Sequence, residues 1–110
     1  MPRQLRSFNT DITVTDGVGS VNVVTLEWFP IRDAGGFIRQ VIVTAPREDT
    51  LFNFRIENAN SKTVYRKKNQ TGEIVDSCEV PVIGNLTFYV YDSSIPSGVY
   101  NMEVMFFEDS

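Results

Sequence analysis

Acidic side chains are the residues of this sequence that come nearest to a catalytic set. The 110-residue chain contains no histidine, which removes histidine-based acid–base catalysis, the usual nucleophile-activating dyads and most zinc sites. A pair of carboxylates could still hydrolyse a glycosidic bond. The candidates lie in or beside predicted turns: Asp33, Glu48, Asp49, Asp76 and Asp92. Because turn aspartates usually make local hydrogen bonds, we expect that the protein is not an enzyme.

The sequence also gives no pattern for a metal or a cofactor. Glu48-Asp49 and Glu108-Asp109 each place two carboxylates together, but calcium needs six or more oxygen ligands and no EF-hand spacing occurs. The glycines of Asp33-Ala34-Gly35-Gly36 lack the spacing and the following helix of a phosphate-binding loop. Cys78, the single cysteine, is predicted to be an inert, half-buried strand residue. We therefore expect neither a metal nor a cofactor.

Basic residues are concentrated in one short run. Four of the ten lie within seven positions and form a candidate basic patch: Lys62, Arg66, Lys67 and Lys68. Such a run could contact nucleic acid or an acidic protein surface. It is more typical of a solvated hairpin tip, where lysine also discourages pairing between sheet edges. The net charge of −4 argues further against nucleic acid as a partner, because neutralising phosphates needs concentrated Lys and Arg.

Aromatic residues, 12% of the chain, support the alternative of a small carbohydrate- or ligand-binding module with rings that stack on sugars. Trp28-Phe29-Pro30 is the candidate platform, with Tyr89 and Tyr91 behind it. However, Trp28 shares a predicted strand face with two aliphatic residues, so alternation favours a position in the core. The carbohydrate alternative predicts a monomer whose Trp28 fluorescence changes when glycans are added.

Three apolar side chains oppose the predicted core faces and form a candidate interface: Phe29, Met105 and Phe107. They would be exposed in a monomer, and exposed apolar patches usually mark contacts with another protein. We therefore predict subunit contacts through a sheet edge or an outer sheet face.

Strands must position all of these residues, because apolar side chains recur with a period of two between turn clusters and never at helical spacing over three turns. The clearest case places Phe52, Phe54 and Ile56 on one strand face, while apolar residues on both faces of 86–91 predict a central strand. About eight strands are predicted, over residues 8–15, 21–29, 37–45, 51–58, 63–67, 73–82, 86–91 and 100–107.

This pattern predicts an all-β fold, an antiparallel β-sandwich with jelly-roll or immunoglobulin-like topology. Alternation does not give strand order, so both topologies and a small closed barrel stay open. Residues 1–110 have the size of a single domain. Residues 1–7 are interpreted equally as a flexible arm that docks on a neighbour or as a frayed terminus. No apolar run has the length of a membrane span or a signal core, which predicts synthesis in the cytoplasm.

The C-terminal half resembles a known class of proteins in two segments, VPVIGNLTFYVY at 80–91 and PSGVYNMEVMFFE at 96–108. This succession of a strand, a turn and a final strand ending in Phe-Glu resembles small β-sandwich virion proteins of tailed bacteriophages, such as capsid decoration, neck and tail components. The resemblance implies a non-enzymatic, multicopy structural protein that binds copies of itself and other virion proteins. It implies location in the virion after synthesis in the host cytoplasm, and it assigns no binding residues.

Overall fold

The fold consists of β-strands arranged in two antiparallel sheets. The computed structural model describes residues 4–22, 36–82 and 84–108. Within them no helix is long and apolar enough to cross a membrane. The strands are β1 (Gln4–Thr15), β2 (Gly19–Asn22), β3 (Phe37–Thr44), β4 (Leu51–Glu57), β5 (Thr63–Thr71), β6 (Glu73–Pro81), β7 (Thr87–Tyr91) and β8 (Ser97–Glu108).

The strand pairing is that of a long hairpin rolled up on itself. β1 pairs with β8, β2 with β7, β3 with β6 and β4 with β5, all antiparallel. Rolling this hairpin adds the pairs β3–β8 and β4–β7, which gives a first sheet in the order β1-β8-β3-β6 and a second in the order β2-β7-β4-β5. This is the jelly-roll topology. The all-β sandwich prediction is confirmed, and the immunoglobulin-like and closed-barrel alternatives are wrong.

The core lies between the two sheets and follows the predicted alternation. Phe52, Phe54 and Ile56 of β4 are buried, and Phe52 packs edge-to-face on Tyr100 of the opposite sheet with ring centroids 5.1 Å apart. Burying each such aromatic or branched side chain contributes about 1.5–3 kcal/mol. The buried residues of β8 are those predicted to share one face: Tyr100, Met102, Val104 and Phe106.

Two tight turns carry the chain between the sheets. Asp16 and Gly17 join β1 to β2, and both have positive φ, 54° and 82°, as the turn prediction at Asp16-Gly17 requires. Gly72 joins β5 to β6 with φ of 74°. Its amide donates to the carbonyl of Thr50 and its carbonyl accepts from the amide of Ala45, both at 2.8 Å. A side chain at position 72 would meet the Glu48 backbone.

Several predicted boundaries differ from the observed ones. β1 begins at Gln4, opposite Glu108 in β8, so residues 4–7 belong to a strand and not to an arm. β8 begins at Ser97, three residues before the predicted start. The strand predicted at 21–29 begins at Gly19, and residues 23–35, which include Trp28, Phe29 and Asp33, lie outside the described part of the chain.

Candidate functional site

The outer face of the first sheet carries an apolar patch formed by Phe37, Ile42, Val75 and Met105. Ile42 of β3 lies directly opposite Val75 of β6. On its other side Ile42 lies opposite Glu103 of β8, and Met105, which is opposite Gln40, is its diagonal neighbour. Val75 is 57% exposed, while Phe37, Ile42 and Met105 are half-buried. Water therefore reaches several apolar side chains on this face, with Gln40 and Glu103 among them, and such a group of exposed apolar side chains marks a candidate contact surface.

Of the three predicted interface residues, Met105 belongs to this patch and points away from the core, between buried Val104 and Phe106. Position 107 lies opposite Phe37 in the strand register, but the Phe107 side chain lies outside the described residues, as does Phe29. The structure therefore places one predicted interface residue, Met105, on this outer face and adds Phe37, Ile42 and Val75 to the candidate interface. These three residues were missed because their proximity depends on the register between strands, which alternation does not give.

The other half of the same face is polar. Asn101 donates through Nδ2 to Asn9 Oδ1 at 2.7 Å and to Asp11 Oδ1 at 3.1 Å, and Asn9 Nδ2 donates back to Asn101 Oδ1 at 3.2 Å. These paired amides satisfy one another across β1 and β8. The apolar patch is thus bordered by an internally bonded polar region, an arrangement typical of a contact surface with a polar rim.

A polar contact links the two sheets at one side of the sandwich, between the edge strands β5 and β6. The Tyr65 hydroxyl donates to Asp76 Oδ2 at 2.7 Å, and Lys67 Nζ lies 3.5 Å from the same oxygen. Burial, followed by the bond to Asp76, raises the pKa of Tyr65. Burial, followed by the charge of Asp76, also raises the pKa of Cys78 to about 11. The thiol therefore stays protonated at neutral pH, and its half-buried position in a strand is the predicted one.

The candidate basic patch is divided by this arrangement. Lys67 faces Asp76 on the inner side of β5, whereas Arg66 and Lys68 face outward and Lys62 lies in the preceding turn. The prediction of a hairpin tip holds for Lys62, which lies in the turn between β4 and β5. It does not hold for the other three residues, which lie along β5 as it continues to Thr71. Alternation in β5 places successive basic residues on opposite faces.

The outer face of the second sheet holds an arginine between two tyrosines. The Arg55 guanidinium carbon lies 4.2 Å from the ring centroid of Tyr89 and 4.6 Å from that of Tyr91. Its Nε donates to Glu57 Oε2 at 2.9 Å. The cation–π contacts and the ion pair hold the guanidinium in place, and the side chains of Arg55 and Glu57 are only 25% and 18% exposed.

A cleft of about 590 Å³ lies beside Arg55 on this face. We call it the second-sheet cleft, and it is lined mainly by polar side chains: Asn53, Arg55, Glu57, Arg66, Lys68 and Asp92. Arg66 of β5 is directly opposite Arg55 in the register, and Asn53 donates weakly to Asp92 at 3.4 Å. The cleft therefore brings together three cationic and two anionic side chains on the outer surface of the sandwich.

The predicted acidic candidates do not converge. Glu48 and Asp49 are exposed in the loop between β3 and β4, Asp76 faces the inner side of β6, and Asp92 borders the second-sheet cleft. In the described ranges no three cysteine or acidic residues come together as a metal site. Tyr89 and Tyr91, predicted to lie behind Trp28 in a sugar platform, lie against Arg55, and Trp28 lies outside the described residues.

Comparison with known proteins finds similarity in structure and not in sequence. No protein-family model matches the chain, and no curated protein matches it in sequence. The Yersinia pseudotuberculosis-derived mitogen superimposes with a TM-score of 0.50 and 6% identity over 94% of this chain and 86% of the mitogen. The tobacco streak virus coat protein gives a TM-score of 0.46 and 7% identity over 93% and 85% of the two chains. At such identities the likeness extends to the fold alone.

Proposed function

We propose that the protein is a non-enzymatic structural subunit of a virion that acts by packing against copies of itself and against other virion proteins. In finer terms, it is a capsid decoration or cement protein, or a neck or tail component, of a tailed bacteriophage. The observation that carries the proposal is the apolar patch on the outer face of the first sheet. Jelly rolls occur in viral capsid proteins and also in lectins and cupins, so the fold is compatible with this role and the patch argues for it.

The position of the patch favours contacts between whole sheets. Val75 belongs to β6, an edge strand of the first sheet, and its side chain continues the apolar surface of Ile42 to that border of the sheet. A second subunit placed over the patch would remove four apolar side chains from water without disturbing the core. Burial of apolar surface is the main favourable term in such association.

Molar mass in solution tests the proposal. Light scattering coupled to size exclusion, over a hundredfold concentration range, should give a discrete multiple of 12.5 kDa for the unmodified chain. Val75→Asp should shift the mass toward the monomer, because a carboxylate would be buried without a partner in the contact. A strict monomer over the whole range would contradict self-association through this face.

The matched control is Val99→Asp. Val99 is 52% exposed, close to the 57% of Val75, and belongs to β8 of the same sheet. It lies six residues from Met105, which corresponds to about 20 Å along a strand. Val99→Asp should leave the mass of the assembly unchanged. Equal loss of assembly in both variants would show that added charge alone disrupts the particle and that the patch is not the contact.

A further inference from the structure

We propose that the second-sheet cleft binds an acidic saccharide, that is, a sugar chain bearing a carboxylate, with Arg55 and Arg66 as the residues that recognise the anion. The cleft lies on the opposite outer face of the sandwich from the apolar patch. A subunit assembled through its first sheet would therefore leave the cleft open to solvent. The inference does not depend on the assembly, and its test is separate.

The first argument is that Arg55 is fixed in place while part of its hydrogen-bonding capacity is unused. The rings of Tyr89 and Tyr91 and the Glu57 carboxylate hold the guanidinium through its faces and its Nε atom. Within the part of the chain that the structure describes, the terminal nitrogens of Arg55 make no hydrogen bond. A guanidinium that is held rigid with its fork of N–H groups available is suited to bind a carboxylate with two parallel bonds.

The second argument is an electrostatic conflict that a ligand would relieve. Arg66 is the direct cross-strand neighbour of Arg55, and like charges in that position destabilise a sheet. Among the residues described, neither Arg66 nor Lys68 forms an ion pair, and the hydroxyl of Thr63 is a weak acceptor for Arg66 at 3.4 Å. Sequences that retain such a conflict in a folded domain often do so at functional sites. Glu57 already compensates the charge of Arg55, and an anion bound between the two arginines would compensate that of Arg66.

The third argument concerns the rest of the ligand. The cleft also contains the Glu57 and Asp92 carboxylates and the side chain of Asn69, so it offers acceptors as well as donors. Sugar hydroxyls can donate to the carboxylates and accept from an amide. A nucleic-acid strand carries a phosphate at every residue, and two carboxylates in the cleft together with the net charge of −4 would oppose it. One anionic group among hydroxyls fits the lining better than a chain of anions that only accept hydrogen bonds.

Titration by NMR or calorimetry tests the inference with matched probes. Sialyllactose is compared with lactose, and trigalacturonate with its methyl ester, because each pair differs in the anionic group. We expect the acidic member of at least one pair to bind and the neutral member to bind at least tenfold more weakly, the size expected for a charge-assisted bidentate contact. Equal binding of the neutral partners, or binding of neither acidic probe at millimolar concentration, would overturn the proposal.

Protein variants locate the binding to this cleft. Arg66→Gln removes one charge at an exposed position and should weaken binding of the acidic probe about tenfold with the fold and the molar mass unchanged. Arg47→Gln makes the same change in the exposed loop between β3 and β4, and it should change binding by less than about twofold. Equal effects of the two variants would refute the cleft as the site. Sodium sulfate binding as tightly as the acidic sugar would refute recognition of a saccharide.

Discussion

The contact between Tyr65 and Asp76 joins β5 and β6, an edge strand from each sheet, and its loss should lower the stability of the fold by a measurable amount. Tyr65 lies in β5 of the second sheet and Asp76 in β6 of the first, with the hydroxyl 2.7 Å from Oδ2. Tyr65→Phe removes this hydroxyl and keeps the ring, which packs edge-on against Phe54 with centroids 6.0 Å apart. The substitution therefore isolates the hydrogen bond from the packing.

The expected magnitude follows from the chemistry and exposure of the pair. A hydrogen bond to a charged group contributes about 1.5–3 kcal/mol. The side chain of Asp76 is 31% exposed and has Lys67 as a second partner, so water and the lysine compensate part of the loss. We expect Tyr65→Phe to lower the free energy of unfolding by about 1–2 kcal/mol.

Urea denaturation of four proteins measures this contact as a double-mutant cycle. The set is the unmodified chain, Tyr65→Phe, Asp76→Ala and the double variant, at pH 7 and one salt concentration. We expect a coupling energy of about 1–2 kcal/mol between the two positions. A coupling below about 0.5 kcal/mol, the limit for independent sites, would refute the idea that this hydrogen bond holds the edge strands together.

The remaining predictions concern alkaline stability and two glycines. The pKa of Tyr65 is raised in the folded state, so the folded state holds the phenolic proton more tightly than the unfolded chain. This stabilisation is fully present below about pH 10 and is lost above it, by about 1.4 kcal/mol per pH unit. Tyr65→Phe should remove this contribution to the loss of stability, as measured by urea denaturation at several values between about pH 8 and pH 11. The pKa of Cys78 rises from 9.0 to about 11, so the stability of the fold should begin to fall near pH 9. Cys78→Ala should abolish the part of this loss that occurs below about pH 10. Gly72→Ala should cost about 2–4 kcal/mol, because φ is 74° and the new Cβ would lie 2.6 Å from the Glu48 carbonyl oxygen. Gly84→Ala should cost about 1 kcal/mol, because φ is 73° but the new Cβ would make only a 3.7 Å contact to a side chain. Equal melting temperatures for the two glycine variants would contradict this reasoning.

Local alternation was sufficient to predict the core faces of the apolar strands. In β4, and in β8 from Tyr100 to Glu103, each buried side chain is followed by a polar one. The same period assigns Phe54 and Val104 to the core without knowledge of any partner strand. β7 was predicted as a central strand and lies between β2 and β4. Its second face is half-buried, since Tyr89 and Tyr91 cover Arg55 and are in turn covered by it.

Local alternation failed where the inward-facing side chains are polar. In β5 the inner face carries Tyr65 and Lys67, which are directed at Asp76 near the edge of the sandwich. Both faces of that strand therefore look polar in the sequence, and the strand was predicted to end at residue 67. The same limit applies to the candidate sites. The approach of Arg55 to Arg66 depends on the register of the β4–β5 hairpin, and that of Ile42 to Val75 on the register between two strands that are distant in sequence.

The place of β8 within the first sheet has a consequence for how the protein emerges during synthesis. Residues 97–108 are translated after all the other strands, yet β8 lies between β1 and β3. Until they leave the ribosome, β1 has no neighbour among the described strands of its sheet, and the core-facing side chains of Ile12 and Val14 have no completed sheet around them. The nascent chain must therefore carry unpaired strands until β8 inserts, which exposes it to aggregation and favours late, slow folding.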